Sequence, residues 1–276
     1  MNLLDYFRAT VLGLLQGLTE FLPVSSSAHL RIFPEMFGWE DPGAAFTAVV
    51  QIGTELAVVL FFRRDIWRIG STWLLSLARP GLRGTLDARM GWFIVVGSTP
   101  IVILGVLFKD DIETSARNLW LVATMLVVLG VVLGVADRVG RHTRPIESLT
   151  MRHAVLYGLA QAMALVPGVS RSGATISMGL FLGYQREAAA RYAFLLAIPA
   201  VVGAGLFQLP EIPGGPNAYG PGPTLVGTVV SFVVGYATIA WLLRYVSTRS
   251  YLPFVIYRVA LGSLTLVLLS TGVLTP

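Results

Sequence analysis

Apolar residues run in blocks of about twenty along most of the chain, enough for a helix rising 1.5 Å per residue to cross roughly 30 Å of hydrocarbon. Such blocks predict six spanning helices, at 44–62, 90–108, 117–136, 187–207, 223–243 and 253–273. Two further apolar stretches, 3–36 and 152–183, are interrupted by Pro23 and Pro167, each followed by clustered hydroxyl side chains. Proline removes a backbone donor and stops a helix, so each stretch predicts a broken, re-entrant helix pair. Residues 64–80 carry Trp67, Arg68, Trp73 and Arg79, a mixture that predicts an amphipathic helix lying at the membrane surface.

Composition strengthens the membrane reading. Of 276 residues, 55% are hydrophobic and 13% charged, against about 25% charged in an ordinary soluble domain. No hydrophilic block is long enough for a second domain, so 1–276 reads as a single all-α integral membrane domain. The net charge of +5 comes almost wholly from arginine, Lys109 being the only lysine. Those arginines sit in short loops beside apolar segments, which fits orientation in a bilayer and not nucleic-acid binding. The absence of cysteine excludes disulfides, thiolate nucleophiles and cysteine-held metals. The N-terminal run contains Gln16 and Glu20, unlike a secretory signal, and is expected to stay in the mature chain.

The two interrupted stretches resemble each other. Gly13-Leu14-Leu15-Gln16 leads to Leu22-Pro23 and Ser25-Ser26-Ser27, and Gly158-Leu159-Ala160-Gln161 leads to Val166-Pro167 and Ser170-Arg171-Ser172. Three spans follow each, giving an internal repeat of about 3–136 and 152–273. The loop from Arg63 to Arg89 holds six arginines and the loop from Arg138 to Arg152 four, which places both in the cytoplasm. Loops 109–117 and 208–222 then face outward with both termini, making the repeat inverted, with its broken tips meeting near the midplane.

Ionisable side chains at membrane depth cost roughly 2.5–3.5 kcal/mol each on insertion scales, which marks Glu20, His29 and Arg171 as functional candidates. Gln16 and Glu20 are four apart and share a helical face. Ser25, Ser26 and Ser27 stand where a second helix begins, beside free backbone N–H groups, with His29 one turn on. In the second break, Gly168 permits close backbone approach, while Ser170, Ser172 and Thr175 offer hydroxyls and Arg171 a planar donor fork for phosphate oxygens. His142 and His153 flank an arginine-rich loop and are expected to be solvated. Binding an anion needs donors, whereas an adjacent Ser/His/Glu set points to chemistry. The rival reading is a transporter or lipid flippase, since broken helices meeting at the midplane also build transport sites.

Residues 16–29, reading QGLTEFLPVSSSAH, and 167–175, reading PGVSRSGAT, resemble the two signature motifs of the undecaprenyl-diphosphate phosphatase family linked to bacitracin resistance. The likeness extends through chain length and span count. It implies hydrolysis of a C55 polyprenyl diphosphate to its monophosphate, recycling the carrier for peptidoglycan synthesis, and a divalent cation, Mg2+ or Ca2+, with Glu20 as its ligand. The candidate catalytic residues are Glu20, Ser26, His29 and Arg171, with Ser26 as nucleophile and His29 as its proton acceptor, or His29 itself as nucleophile, and with Glu20 as metal ligand or base; substrate contacts are expected from Gln16, Ser25, Ser27, Gly168, Ser170, Ser172 and Thr175. The expected partners are the lipid substrate and the bilayer of the bacterial cytoplasmic membrane; a homodimer is allowed and no nucleic acid is expected. Two departures stand out: glutamine at 16 leaves one carboxylate where the family takes glutamate or glutamine, and Ser27-Ala28 replaces the common Thr-Gly.

Overall fold

The structure is a computed structural model that describes residues 3–108, 118–208 and 219–274. Loop 109–117, with Lys109 and Arg117, and most of loop 208–222 lie outside the described residues. Helices account for nearly all regular structure: α1 (Leu3–Thr19), α2 (Ser26–Met36), α3 (Ala44–Phe61), α4 (Arg63–Ala78), α5 (Leu86–Leu107), α6 (Leu119–Val139), α7 (Met151–Ala162), α8 (Arg171–Phe181), α9 (Arg186–Gln208), α10 (Pro221–Val246) and α11 (Leu252–Ser270). Among the described residues the one β-type contact is an isolated bridge between Arg144 and Tyr184.

Five helices are long and apolar enough to cross a membrane, and α3 with α4 makes a sixth candidate bent by 70°. The bend falls where the apolar run of α3 gives way to Arg63, Arg64 and Asp65, so α4 turns away from the direction of α3 as its polar content requires. Many large apolar side chains stay exposed, including Leu60, Val102, Val131, Leu225, Val229 and Ile256. In water such a surface would aggregate. In a bilayer it faces lipid, and the chain is an integral membrane protein.

The two predicted breaks are present, at residues 20–25 between α1 and α2 and, after a 3₁₀ turn at Met163–Leu165, before α8. They are approached from opposite ends of the helical body. At one end Arg89 Nη2 donates to Leu149 O at 3.1 Å, joining the two arginine-rich loops just before α7 begins. Asp137 belongs to the same end, where it accepts from Arg186 Nε at 2.6 Å and from Tyr251 N at 3.0 Å. At the other end, near the start of α1, Arg8 stacks over Trp39 at 5.7 Å and Tyr219 Oη donates to Glu40 O at 3.3 Å.

Packing pairs the halves crosswise. Helix α1 lies on α10, which lies on α3; correspondingly α7 lies on α5, which lies on α9, and α6 packs against α11. The glycines equated by the Gly-Leu-x-Gln match sit at these crossings: a Cβ on Gly13 would collide with Gly227 O, and one on Gly158 with Gly97 O. Small residues at both contacts let the backbones approach closely, which is how helices gain dispersion energy when the surrounding lipid is itself apolar. The histidines expected to be solvated are partly withdrawn: His153 Nδ1 and Tyr184 Oη lie 2.7 Å apart, and His142 Nε2 is buried 3.8 Å from Asp137 without a hydrogen-bond partner among the described residues.

Candidate active site

Each break turns on a serine in the left-handed region, Ser25 with φ 73° and Ser170 with φ 70°. A side chain there costs about 1–3 kcal/mol of strain, and such residues persist where the surroundings fix them. The hydroxyls repeat the same pattern, Ser25 Oγ to Ser27 Oγ at 3.2 Å and Ser170 Oγ to Ser172 Oγ at 3.2 Å. Ser170 Oγ also accepts from Gly173 N at 3.1 Å, capping α8. Ser25 makes no such cap, so the first N–H groups of α2 are left for another acceptor.

The two breaks are joined directly. Arg171, the first residue of α8, pairs with Glu20 Oε1, and Ser172 Oγ donates to Leu22 O at 3.1 Å. Behind them Arg258 is fully buried, donating from Nη1 to Pro23 O at 3.1 Å and from Nη2 to Gly168 O and Val169 O at 3.0 Å each. One guanidinium therefore holds the carbonyls of both breaks, and two helix N-termini with their positive dipole ends converge on one region.

Glu20 is the hub. Its Oε2 accepts from Ser26 Oγ at 2.6 Å and from Gln16 Nε2 at 3.1 Å, while Arg171 occupies Oε1. A hydroxyl so close to a carboxylate has a proton acceptor within reach, which is the arrangement that activating a nucleophile requires. His29 lies elsewhere: Nδ1 is 2.7 Å from Ser25 O, and Nε2 is 2.7 Å from Tyr257 Oη, on whose ring the imidazole stacks. Ser26 thus bonds Glu20 and not the histidine one turn away.

Glu20, Arg171 and Ser172 line a small, partly open pocket together with Thr54 and Glu55 of α3, and Phe21, Val58, Phe194 and Val201 supply apolar wall. Gln16 is buried and spends its amide on Glu20 and on Thr54 Oγ1 at 3.3 Å. Thr175 is fully buried and donates to Arg171 O at 2.7 Å. Gly168, with φ 87°, makes its close approach to the Val122 backbone. Ser27 is exposed at the start of α2.

Two carboxylates, Glu20 and Glu55, face this space, and no group of three or more histidine and acidic residues able to hold a metal occurs among the described residues. That donor set fits a hard divalent cation of the Mg2+ kind, which keeps most of its waters and uses one or two carboxylates beside substrate phosphates.

Residues 9–264 match the profile of the bacitracin resistance protein BacA family. The chain belongs to the BacA family. Its relatives include an undecaprenyl-diphosphatase of Nocardioides sp., 70% identical over 99% of both chains, and undecaprenyl-diphosphatase 3 of Frankia alni, 58% identical over 99% of this chain and 97% of the relative. An undecaprenyl-diphosphatase of Thermobifida fusca is 55% identical over 99% of this chain and 93% of its own.

In this BacA-family chain three site residues escaped the sequence reading: Glu55, Arg258 and Tyr257. Glu55 and Arg258 carried the same signal as Glu20, an ionisable group inside a predicted span, but stood outside the two motifs. Tyr257 carried none, since its partner His29 lies 228 residues away.

Proposed function

We propose that the chain hydrolyses undecaprenyl diphosphate to the monophosphate and inorganic phosphate. The observation that carries this reading is the Ser26–Glu20 hydrogen bond placed beside Arg171 where two helix N-termini converge. Such a site binds a phosphate group and attacks it. The apolar wall of Phe21, Val58, Phe194 and Val201 beside the charged groups suits a substrate that is half lipid.

In the first step Ser26 Oγ bonds the terminal phosphorus, its proton passes to Glu20 Oε2, and the bridging P–O bond breaks to release the prenyl monophosphate. In the second, water attacks the phosphoserine. Glu20 returns its proton to Oγ as the P–Oγ bond breaks, and the proton shed by the water leaves with inorganic phosphate. Arg171 and the free N–H groups stabilise charge developing on the phosphate oxygens, the dominant contribution in phosphoryl transfer. His29 orients the Ser25 carbonyl at the turn. A divalent cation, Mg2+ or Ca2+, held through Glu20, would supply further neutralisation of phosphate charge.

We read the arrangement as an inverted repeat in the cytoplasmic membrane with the arginine-rich end inside. The first break then opens outward and hydrolysis takes place on the external face, serving carrier recycling for the cell wall and, with it, bacitracin resistance. The prenyl tail stays in lipid, each buried methylene being worth about 0.8 kcal/mol, so the headgroup enters laterally. Breaks approached from opposite ends also favour a second reading, lipid transfer across the membrane. Purified protein given undecaprenyl diphosphate with Mg2+ or Ca2+ is expected to release inorganic phosphate; none across a range of detergents and cations would sink the hydrolase. Movement of labelled lipid by a Ser26→Ala protein in vesicles would establish transfer as a separate activity.

A further inference from the structure

We propose that Glu55 is the second carboxylate of the divalent-cation site, serving where Gln16 leaves the first motif one charge short; the proposal rests on the diphosphatase reading above. Glu20 alone is poorly placed to hold a cation, because its two oxygens already accept from Arg171, Ser26 and Gln16, leaving little of a carboxylate's capacity of about four lone-pair sites. Glu55 lines the same pocket, and its Oε1 accepts one long bond of 3.4 Å from Gln51 Nε2 while Oε2 has no hydrogen-bond donor among the described residues. Room for it is built into α9: a Cβ on Gly205 would stand 2.5 Å from Glu55 Oε2.

Charge decides what that oxygen is for. With both ionised, Glu20 and Glu55 bring two negative charges to a pocket where Arg171 brings one positive, so in that state the space is net negative before a diphosphate arrives. An anionic headgroup is repelled from such a site unless a cation stands between it and the free carboxylate. Gln16 fits the same division of labour, since its amide ties Glu20 to Thr54, the residue next to Glu55, and so fixes the spacing of the two acids without adding a third charge. A hard cation bound through Glu55, sharing Glu20 and keeping its remaining waters, matches the coordination such ions prefer.

The test uses Mn2+ as a probe, with binding to the full-length protein in detergent followed by electron paramagnetic resonance and no lipid present. Glu55→Gln is expected to weaken Mn2+ binding at least tenfold and to raise by a similar factor the Mg2+ concentration giving half-maximal phosphate release. The double variant Gln16→Glu/Glu55→Gln is expected to recover most of the affinity. Wild-type Mn2+ affinity in Glu55→Gln overturns the proposal, as does a double variant that recovers none. Because binding is read without substrate, a wild type that holds Mn2+ through Glu55 but releases no phosphate would remove the diphosphatase reading and leave the cation site standing.

Discussion

Arg171 pairs with Glu20 across the junction of two chain breaks 151 residues apart in sequence. The pair is structural and chemical at once, because it fixes the first break against the second and leaves the rest of the guanidinium fork facing the pocket. Arg171→Ala is expected to lower kcat/KM at least 100-fold, the scale on which removal of one transition-state donor acts. Arg171→Lys should recover only part, since lysine is a point charge without the planar fork. Phosphate release by variants that still elute as the folded protein in size-exclusion chromatography checks both; wild-type turnover in Arg171→Ala would remove the phosphate-binding role.

Ser26 and His29 separate cleanly as variants. Ser26→Ala should abolish turnover, while His29→Gln, which keeps groups able to bond Ser25 O and Tyr257 Oη, should retain a measurable fraction. Acid quenching during turnover of labelled substrate, followed by mass spectrometry, is expected to show phosphate on Ser26. Phosphoserine survives acid and phosphohistidine does not, so label retained under alkali but lost in acid would transfer the nucleophile to His29.

Among the described residues Arg258 has no carboxylate partner, and it is held by backbone carbonyls of Pro23, Leu126, Met125, Gly168 and Val169. Replacing it with methionine strands several of these acceptors, each worth about 1–3 kcal/mol when buried and unpaired. A loss of stability of roughly 3 kcal/mol or more is expected, with activity falling further as the breaks drift apart. Denaturant or thermal unfolding in a fixed detergent measures the first effect; an unchanged midpoint would show that the breaks hold themselves.

Orientation can be read with single cysteines, because the chain has none of its own. Glu40 and Thr143 are both exposed and belong to opposite ends of the helical body. In intact cells an impermeant thiol reagent should label Glu40→Cys and spare Thr143→Cys. The reverse pattern would invert the topology and move hydrolysis to the cytoplasmic face.

How much of this could be read from the chain follows from which forces act locally. The spans were legible because twenty apolar residues have few other fates, and the breaks because Pro23 and Pro167 are each followed by clustered hydroxyl residues, whereas Pro34, Pro100 and Pro199 are carried inside helices. The observed helices match the six predicted blocks to within a few residues; the predicted 64–80 surface helix appears as α4, separated from α3 by the bend. Contacts between distant residues left no such trace. Neither the turn of His29 toward Tyr257 nor the placing of Glu55 beside Glu20 has a local period, and Thr175, which looked like a phosphate donor, is spent on its own helix backbone.

The crosswise glycine contacts set a schedule for biosynthesis. Gly13 is finished early, yet the backbone it packs against, around Gly227, is made about 200 residues later. At roughly 5–20 residues per second, α1 spends on the order of ten to forty seconds in the membrane with its small-residue face covered only by lipid. The seat between α3 and α10 does not exist until translation is nearly complete, so a ribosome stalled before α10 leaves α1 with only its lesser contacts to α2 and α3.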